Sequence, residues 1–298
     1  PILVLGYIPP SDAITVVAED IRPCIFTIES AIVASQAAVQ LNRQAHLHIK
    51  LDTGMGRIGF LPDNDSLKLI EQIAALPGVT IEGIFTHLAE ADLEDSSFTR
   101  EQIKTFTRFI NQLEERGINI PLKHCSNSAA LMNFSEAHFD MVRAGILLYG
   151  LFPSPPIKPE KIDVIPAMTL KSRVSYVKTL PAGHSISYNR TYYCPQETQV
   201  ATIPIGYADG YRRLLSNRVQ ALINGKLVPL VGNVCMDMCM FDVSGVGEVK
   251  EGDEVMLFGR PEDGVTADDL ARAMGTINYE VVSALGSRVP RIYKNGRS

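Results

Sequence analysis

From His46 to Asp52 the chain alternates strictly. His46, His48, Lys50 and Asp52 fall on one face of an extended segment, and Leu47, Ile49 and Leu51 on the other. The alternation stops at a glycine-rich loop, Thr53-Gly54-Met55-Gly56-Arg57. Two readings fit this stretch. It is the catalytic edge of a barrel strand, delivering a lysine, an aspartate and an arginine. Alternatively it is one strand of a one-sided sheet whose polar face is wet, the glycines being plain turn residues.

The flanking pattern extends the first reading. Residues 1–6 form a short apolar run, as in a parallel strand buried on both faces. A helical segment follows within 11–20, a strand over 22–28 and an Ala-rich helix over 30–42. Residues 65–76 have helical period, with Leu67, Ile70, Ile73 and Ala74 on one face, Asp65 as the cap and Pro77-Gly78 as the stop. A strand is predicted over 80–87. A long helix over 97–116 points Ile103, Phe106, Ile110 and Leu113 inward and ends at Gly117. Further strands are predicted over 121–126 and, running into a turn, over 140–149, with a short helix at 128–132 between them. Alternating strands and helices imply a parallel α/β architecture. Six strands precede residue 150, whereas a closed (β/α)8 barrel needs eight. The expectation is an open sheet, or a barrel with two βα units ahead of Pro1.

The texture changes after the Pro-rich stretch 152–166, read as a linker. Residues 169–178 alternate, 200–206 and 229–243 read as strands, and Asn224-Gly225 is a strong hairpin signal. Thr266 opens a helix, and 278–285 suggests another. The expected domains are 1–163, a partial barrel, and 164–298, a mainly β domain.

Composition narrows the function classes. The 298 residues are 46% hydrophobic and 20% charged, an ordinary globular balance. A net charge of -5 with no basic run argues against nucleic acid and anionic membranes as partners. No apolar run approaches the roughly 18 residues of a membrane span. The first residues lack the basic region of a secretory signal. They also start inside an apparent strand without an initiator Met, so further sequence is expected upstream. The five cysteines, Cys24, Cys125, Cys194, Cys235 and Cys239, form no C-x-x-C pair and read as small reduced core residues in a cytoplasmic protein.

Polar residues at expected strand ends are the candidate chemistry. They are Lys50, Asp52 and Arg57, then His87, Asn127 and Ser128, and Arg143. Singly, each is the hydrogen-bonded or ion-paired group of an ordinary core. Four successive strands ending this way point to a site. Asn127-Ser128 precede a short helix, where a hydroxyl and backbone N–H groups would cradle a phosphate. Backbone N–H groups at Gly145-Ile146 would add to it. The β region contributes tyrosines at Tyr188, Tyr207 and Tyr279. A tyrosine can act as a base where nearby cations favour its phenolate. A metal site from His46, His48, Lys50 and His87 is disfavoured, because His48 lies roughly 13 Å from Asp52 along a strand.

The motifs KLDTGMGRIGF, FTHLAEAD, HCSNSAA, MVRAGILLYG, ISYNRTY, IPIGYADGY, VCMDMCM and TINYEV, in this order, resemble the alanine racemase family. The resemblance implies an α/β fold: an N-terminal (β/α)8 barrel, here lacking its first two strands, and a C-terminal mainly β domain. It implies a head-to-tail homodimer with shared sites, pyridoxal 5'-phosphate as cofactor, and interconversion of L- and D-alanine for peptidoglycan precursors. By the same resemblance, Tyr188 exchanges a proton with the L-amino acid. Arg143 hydrogen-bonds the pyridine nitrogen with His87 beside it. Ser128, Asn127, Gly145, Ile146, Tyr279 and Leu5 contact the cofactor. Arg57 and Met236 contact the substrate carboxylate, Tyr207 lines the entrance, and Lys50 matches a lysine often carbamylated in the family.

One departure stands out. The family's cofactor lysine lies in a motif resembling V-V-K-A-(D/N)-A-Y-G, and no lysine of the 298 is followed by such a sequence. The expectation is therefore an alanine racemase lacking its N-terminal segment. The alternative is a catalytically inactive remnant of the same fold that binds the cofactor or a partner.

Overall fold

Alternating apolar residues in short runs, each followed by an amphipathic helix, fold the first half of the chain into a parallel sheet. The computed structural model describes residues 1–153 and 162–294. Most of the stretch read as a linker, 152–166, lies outside the described residues. Two compact units result, Pro1–Gly145 and a second beginning at Ile146.

The first unit runs β1 (Ile2–Val4), α1 (Ala13–Ala18), β2 (Ile21–Ile25), α2 (Ile28–Leu41), β3 (Ala45–Lys50), α3 (Asn64–Ala74), β4 (Val79–Phe85), α4 (Ser97–Glu115), β5 (Leu122–His124) and α5 (Ser128–Asn133). The five strands pair in the order β1-β2-β3-β4-β5, all parallel. This is the βα repeat from which a (β/α)8 barrel is built. The helices cover it through apolar stripes. On α4, Ile103, Phe106, Phe109, Ile110 and Leu113 are buried. Burying each such side chain is worth roughly 1.5–3 kcal/mol. Helix α2 starts on Thr27, whose side chain accepts from the Ser30 amide, and stops at Asn42 in the left-handed region.

Three expectations for this unit need correction. Asp63, and not Asp65, caps α3, accepting from the Ser66 amide. Residues 140–149 are not a strand. They run irregularly, with the Asp140 and Arg143 amides donating to Lys123 and Ser126, and then form a 3-10 turn at Ile146–Tyr149. Strand β1 is not buried on both faces: Ile2 is 66% exposed, and Leu3 and Val4 are partly exposed.

The second unit is mainly β. Its elements are β6 (Leu170–Arg173), β7 (Tyr176–Leu180), β8 (Ser185–Ile186), β9 (Tyr192–Tyr193), β10 (Thr198–Ile203), β11 (Gln220–Ile223), β12 (Lys226–Pro229), β13 (Cys239–Asp242), β14 (Glu254–Phe258), α6 (Ala267–Met274) and α7 (Asn278–Ser283). Antiparallel pairing gives sheets β13-β10-β7 and β12-β11-β14-β6, and a small ribbon β8-β9. The stretch 169–178 is thus two strands in different sheets. Asn224 and Gly225 make the expected hairpin between β11 and β12, with φ of 48° and 75°. Thr266 caps α6 with a capping box to Asp269.

The core of this unit encloses Tyr211, whose hydroxyl is buried without a hydrogen-bond partner among the described residues. Such a group is costly to bury. Tyr211→Phe should therefore raise stability by about 1 kcal/mol, read from the urea midpoint. A loss would show that the hydroxyl is satisfied in solution.

Candidate active site

The C-terminal ends of β3, β4 and β5 bring polar side chains into an apolar interior. Strand β3 places His48 and Lys50 inward, so the polar face of this strand is dry. Lys50 is 1% exposed. Its Nζ donates to the Leu51 carbonyl at 2.8 Å and lies 5.5 Å from the Phe85 ring centre. Burial lowers its pKa to about 8, with Asp52 opposing and Arg143 and Arg57 adding to the shift. The glycine loop leaves after Asp52 and returns at Phe60, whose amide donates to the Lys50 carbonyl at 2.9 Å. Asp52 Oδ1 accepts from the Gly54 and Gly56 amides at 2.9 and 3.1 Å. Gly59 is at φ +137°, where a Cβ would come within 2.6 Å of the Asp52 nitrogen. Arg57 projects from this loop, exposed.

Arg143 is the hub. Its guanidinium donates to His124 Nδ1 at 2.7 Å, the Thr86 carbonyl at 2.9 Å, the Cys125 carbonyl at 3.1 Å and His87 Nδ1 at 3.3 Å. It also sits 5.3 Å over the Phe85 ring. Burial lowers its pKa to about 10, which leaves it charged at neutral pH. Burial, together with the charge of Arg143, takes His87 down to about 4 and His124 down to about 2.

Behind Arg143 a polar chain crosses the sheet. His124 Nε2 is 3.0 Å from His48 Nδ1, and His48 Nε2 is 3.3 Å from Glu82 Oε2. Glu82 pairs with Arg22 at 2.9 Å, and Arg22 with Asp20 at 2.7 Å. An arginine only donates, so His124 must accept at Nδ1 and donate at Nε2, and His48 must then do the same. The chain has one direction. Gly83 makes room for it: a Cβ there would lie 2.2 Å from His48 Nδ1. His48, His124, Glu82 and Arg22 were not among the predicted site residues. Their signal was inward alternation, which a wet polar face mimics.

The residues expected to cradle a phosphate lie close together. Asn127 caps α5 by accepting from the Ala130 amide at 2.9 Å, and Ser128 follows it. The Gly145 amide donates to Ser128 Oγ at 2.8 Å, which draws the Asn127–Ser128 turn and Gly145 within one hydrogen bond. Leu5 lies just beyond the edge strand β1, half exposed.

The other predicted residues belong to the second unit. Ile146 opens its first turn and is buried. Tyr279 is half-buried on α7, next to Asn278, which donates to the Phe152 carbonyl and Asp268. The segment Gly232–Met238 ties three of them together. Asn233 Nδ2 donates to the Tyr188 carbonyl at 2.7 Å, and the Tyr207 and Ala208 amides donate to Cys235 and Met236 at 3.0 and 2.9 Å. Gly206 permits this approach, since a Cβ would be 2.3 Å from the Cys235 carbonyl. The turn bearing Tyr207 is further fixed by buried Asp209, which accepts two 2.6 Å bonds from Arg288 and one from the Gly206 amide. Tyr188 and Met236 themselves are 66% and 59% exposed. Among the described residues no three His, Cys, Asp or Glu side chains converge as a metal site would require, and no helix is long and apolar enough to cross a membrane.

A parallel βα sheet that gathers a buried lysine, neutral histidines and a fixed arginine at its strand ends, in one chain with a β domain, is the build of a barrel-type enzyme. Residues 1–153 match the alanine racemase N-terminal domain and residues 167–293 the alanine racemase C-terminal domain. The alanine racemase of Desulforamulus reducens is 49% identical over 293 residues, covering 98% of this chain and 79% of the relative. The structure of alanine racemase from Clostridium difficile 630 superposes with a TM-score of 0.94 at 38% identity, covering 100% of this chain and 77% of the other. That of Bacillus anthracis alanine racemase with bound L-Ala-P gives 0.90 at 38% identity, covering 100% and 77%. The chain belongs to the alanine racemase family.

Proposed function

We propose that this protein acts on alanine with pyridoxal 5'-phosphate, exchanging the α-proton between the two faces of the amino acid and so supplying D-alanine for peptidoglycan precursors. The observation that carries the reading is Arg143. A guanidinium held on four acceptors and still charged at neutral pH suits an aromatic ring nitrogen that must accept and stay unprotonated. His87 would stand beside it. Asn127, Ser128 and Gly145, with Ile146 and Tyr279, would take the phosphate, and Leu5 would flank the ring. The bound cofactor supplies an electron sink that lowers the cost of removing the α-proton. Tyr188 would take and return that proton on the L side. Arg57 and Met236 would hold the substrate carboxylate, and Tyr207 would line the entrance.

Lys50 has a separate part. A lysine with pKa about 8 is neutral often enough near neutral pH to react with carbon dioxide. The carbamate would exchange a buried cation for an anion able to hold Arg57. The exposure of Tyr188 and Met236 fits a homodimer in which a second copy completes each site.

Two forms test this reading: the 298-residue chain, and the same chain joined at Pro1 to the lysine-bearing segment of a relative. The joined form with added cofactor should interconvert L- and D-alanine. Failure of a folded joined form to do so would end the reading. In the 298-residue chain no lysine carries the family's motif. Borohydride reduction with added cofactor should therefore leave no stoichiometric pyridoxyl-lysine. A modified lysine accompanied by turnover would show that another residue has taken the role.

A further inference from the structure

We propose that Asn233 is a positioning residue for Tyr188, holding its backbone in a conformation the chain would otherwise leave. This rests on the reading of Tyr188 as the proton-transfer group. The loop between β8 and β9 is unusual. Ser187 has φ +67° and ψ −177°, a region populated almost only by glycine, and Asn189 and Arg190 have φ of +61° and +53°. Tyr188 lies between them, and its side chain is too exposed in this chain to be fixed by packing. Its position is therefore set through its backbone.

A reciprocal pair of hydrogen bonds grips that backbone. Ser187 Oγ donates to the Asn233 carbonyl at 2.6 Å, and Asn233 Nδ2 donates back to the Tyr188 carbonyl at 2.7 Å. Gly232 allows the approach: it has φ +81°, and a Cβ there would lie 2.8 Å from the Ile186 carbonyl. Asn217 braces both sides, accepting from the Gly232 amide at 2.6 Å and donating to Thr191 Oγ1 at 3.1 Å. The same segment carries Met236 three residues on. A shift of Asn233 thus moves the base relative to a substrate contact. Misplacement of a reacting group by about 1 Å can cost about 10²-fold in rate.

The test compares Asn233→Ala, Asn233→Asp and Tyr188→Phe. Asparagine to aspartate keeps the size and loses the donor. Amide hydrogen exchange is followed in the 298-residue chain, and kcat and KM for L-alanine in the joined form. Both Asn233 variants should speed exchange at residues 189–191 about tenfold while β10 stays protected. They should lower kcat at least about tenfold with KM within about twofold. Wild-type behaviour of Asn233→Asp would overturn the proposal, because donation would then be irrelevant. So would protection lost evenly across the second unit, which would make Asn233 a general fold contact. Unchanged Asn233→Ala kinetics beside a slow Tyr188→Phe would overturn the role of Asn233 alone. Unchanged Tyr188→Phe kinetics would overturn the underlying reading of Tyr188.

Discussion

Tyr188→Phe should slow removal of the α-proton from L-alanine by about 10²-fold or more in the joined, lysine-bearing form, the usual size of a general-base contribution. The substitution removes one oxygen and keeps the ring. Tyr188 is largely exposed and its grip on the fold runs through its carbonyl, which the variant retains. Stability should therefore change by no more than about 0.5 kcal/mol, the ordinary range for surface positions. The measurement is loss of the α-proton from L-alanine in deuterated water, beside an unfolding curve. An unchanged exchange rate from L-alanine would remove Tyr188 from the chemistry. A slow variant that is also several kcal/mol less stable would point to the loop instead.

Acidification should destabilise the protein well above the carboxylate range, and the histidines around Arg143 are the cause. Their pKa values in the folded chain are depressed by burial first and by Arg143 second, to about 4 for His87 and about 2 for His124. His48 is lowered too, by burial, against the pull of Glu82. The unfolded chain binds protons on these residues below about pH 6.5, whereas the folded chain does not. Stability is therefore complete above that pH and falls as pH drops from 6.5 toward the folded values. Between pH 7.5 and 5.5 the loss should be about 1 kcal/mol for each of His87 and His124. Carboxylates held low in the fold, such as Asp52 and Asp209, lose their contribution only below their ordinary values near 3.8, so the two windows separate. Urea unfolding at the two pH values measures the effect. His124→Asn should flatten the slope, since its amide oxygen stands in for Nδ1 as acceptor for Arg143 and does not titrate. An identical slope in the variant would exclude His124 as the source.

The parts of this molecule governed by near neighbours were legible in the sequence. The inward stripe of α4, the turn at Asn224-Gly225 and the caps at Thr266 and Asn127 depend on residues within a few positions. Parallel βα order followed from the alternation of periods. What escaped depends on distant partners. Residues 140–149 have a strand's composition, but their polar backbone is satisfied by β5 and its following loop, so they stay irregular. The apolar start of β1 signals burial on two faces, yet none of its three residues is fully buried. The candidate site was legible where a polar residue ends a strand, as with Lys50, His87 and Arg143. The supports were not. His48 and Glu82 alternate like a solvent face, and nothing local announces that Asn233 meets Tyr188 forty-five residues away. Predicted residues in the two units were joined through the family likeness, not through periodicity.

Gly83 gives the buried polar chain a history as well as a shape. A methyl group at this position would occupy the space of the His48 ring. Any drift away from glycine at 83 must displace that imidazole, and with it the donor to Glu82 and the acceptor for His124. A smaller residue at position 48 would open room for a side chain at 83, but it would sever the link between Arg143 and the opposite end of the sheet. Residues 48 and 83 are thus free to change only together, and each step alone passes through a damaged intermediate. An unremarkable mid-strand glycine, with no polar atom beyond its backbone, therefore narrows the routes by which the environment of Arg143 can be rebuilt.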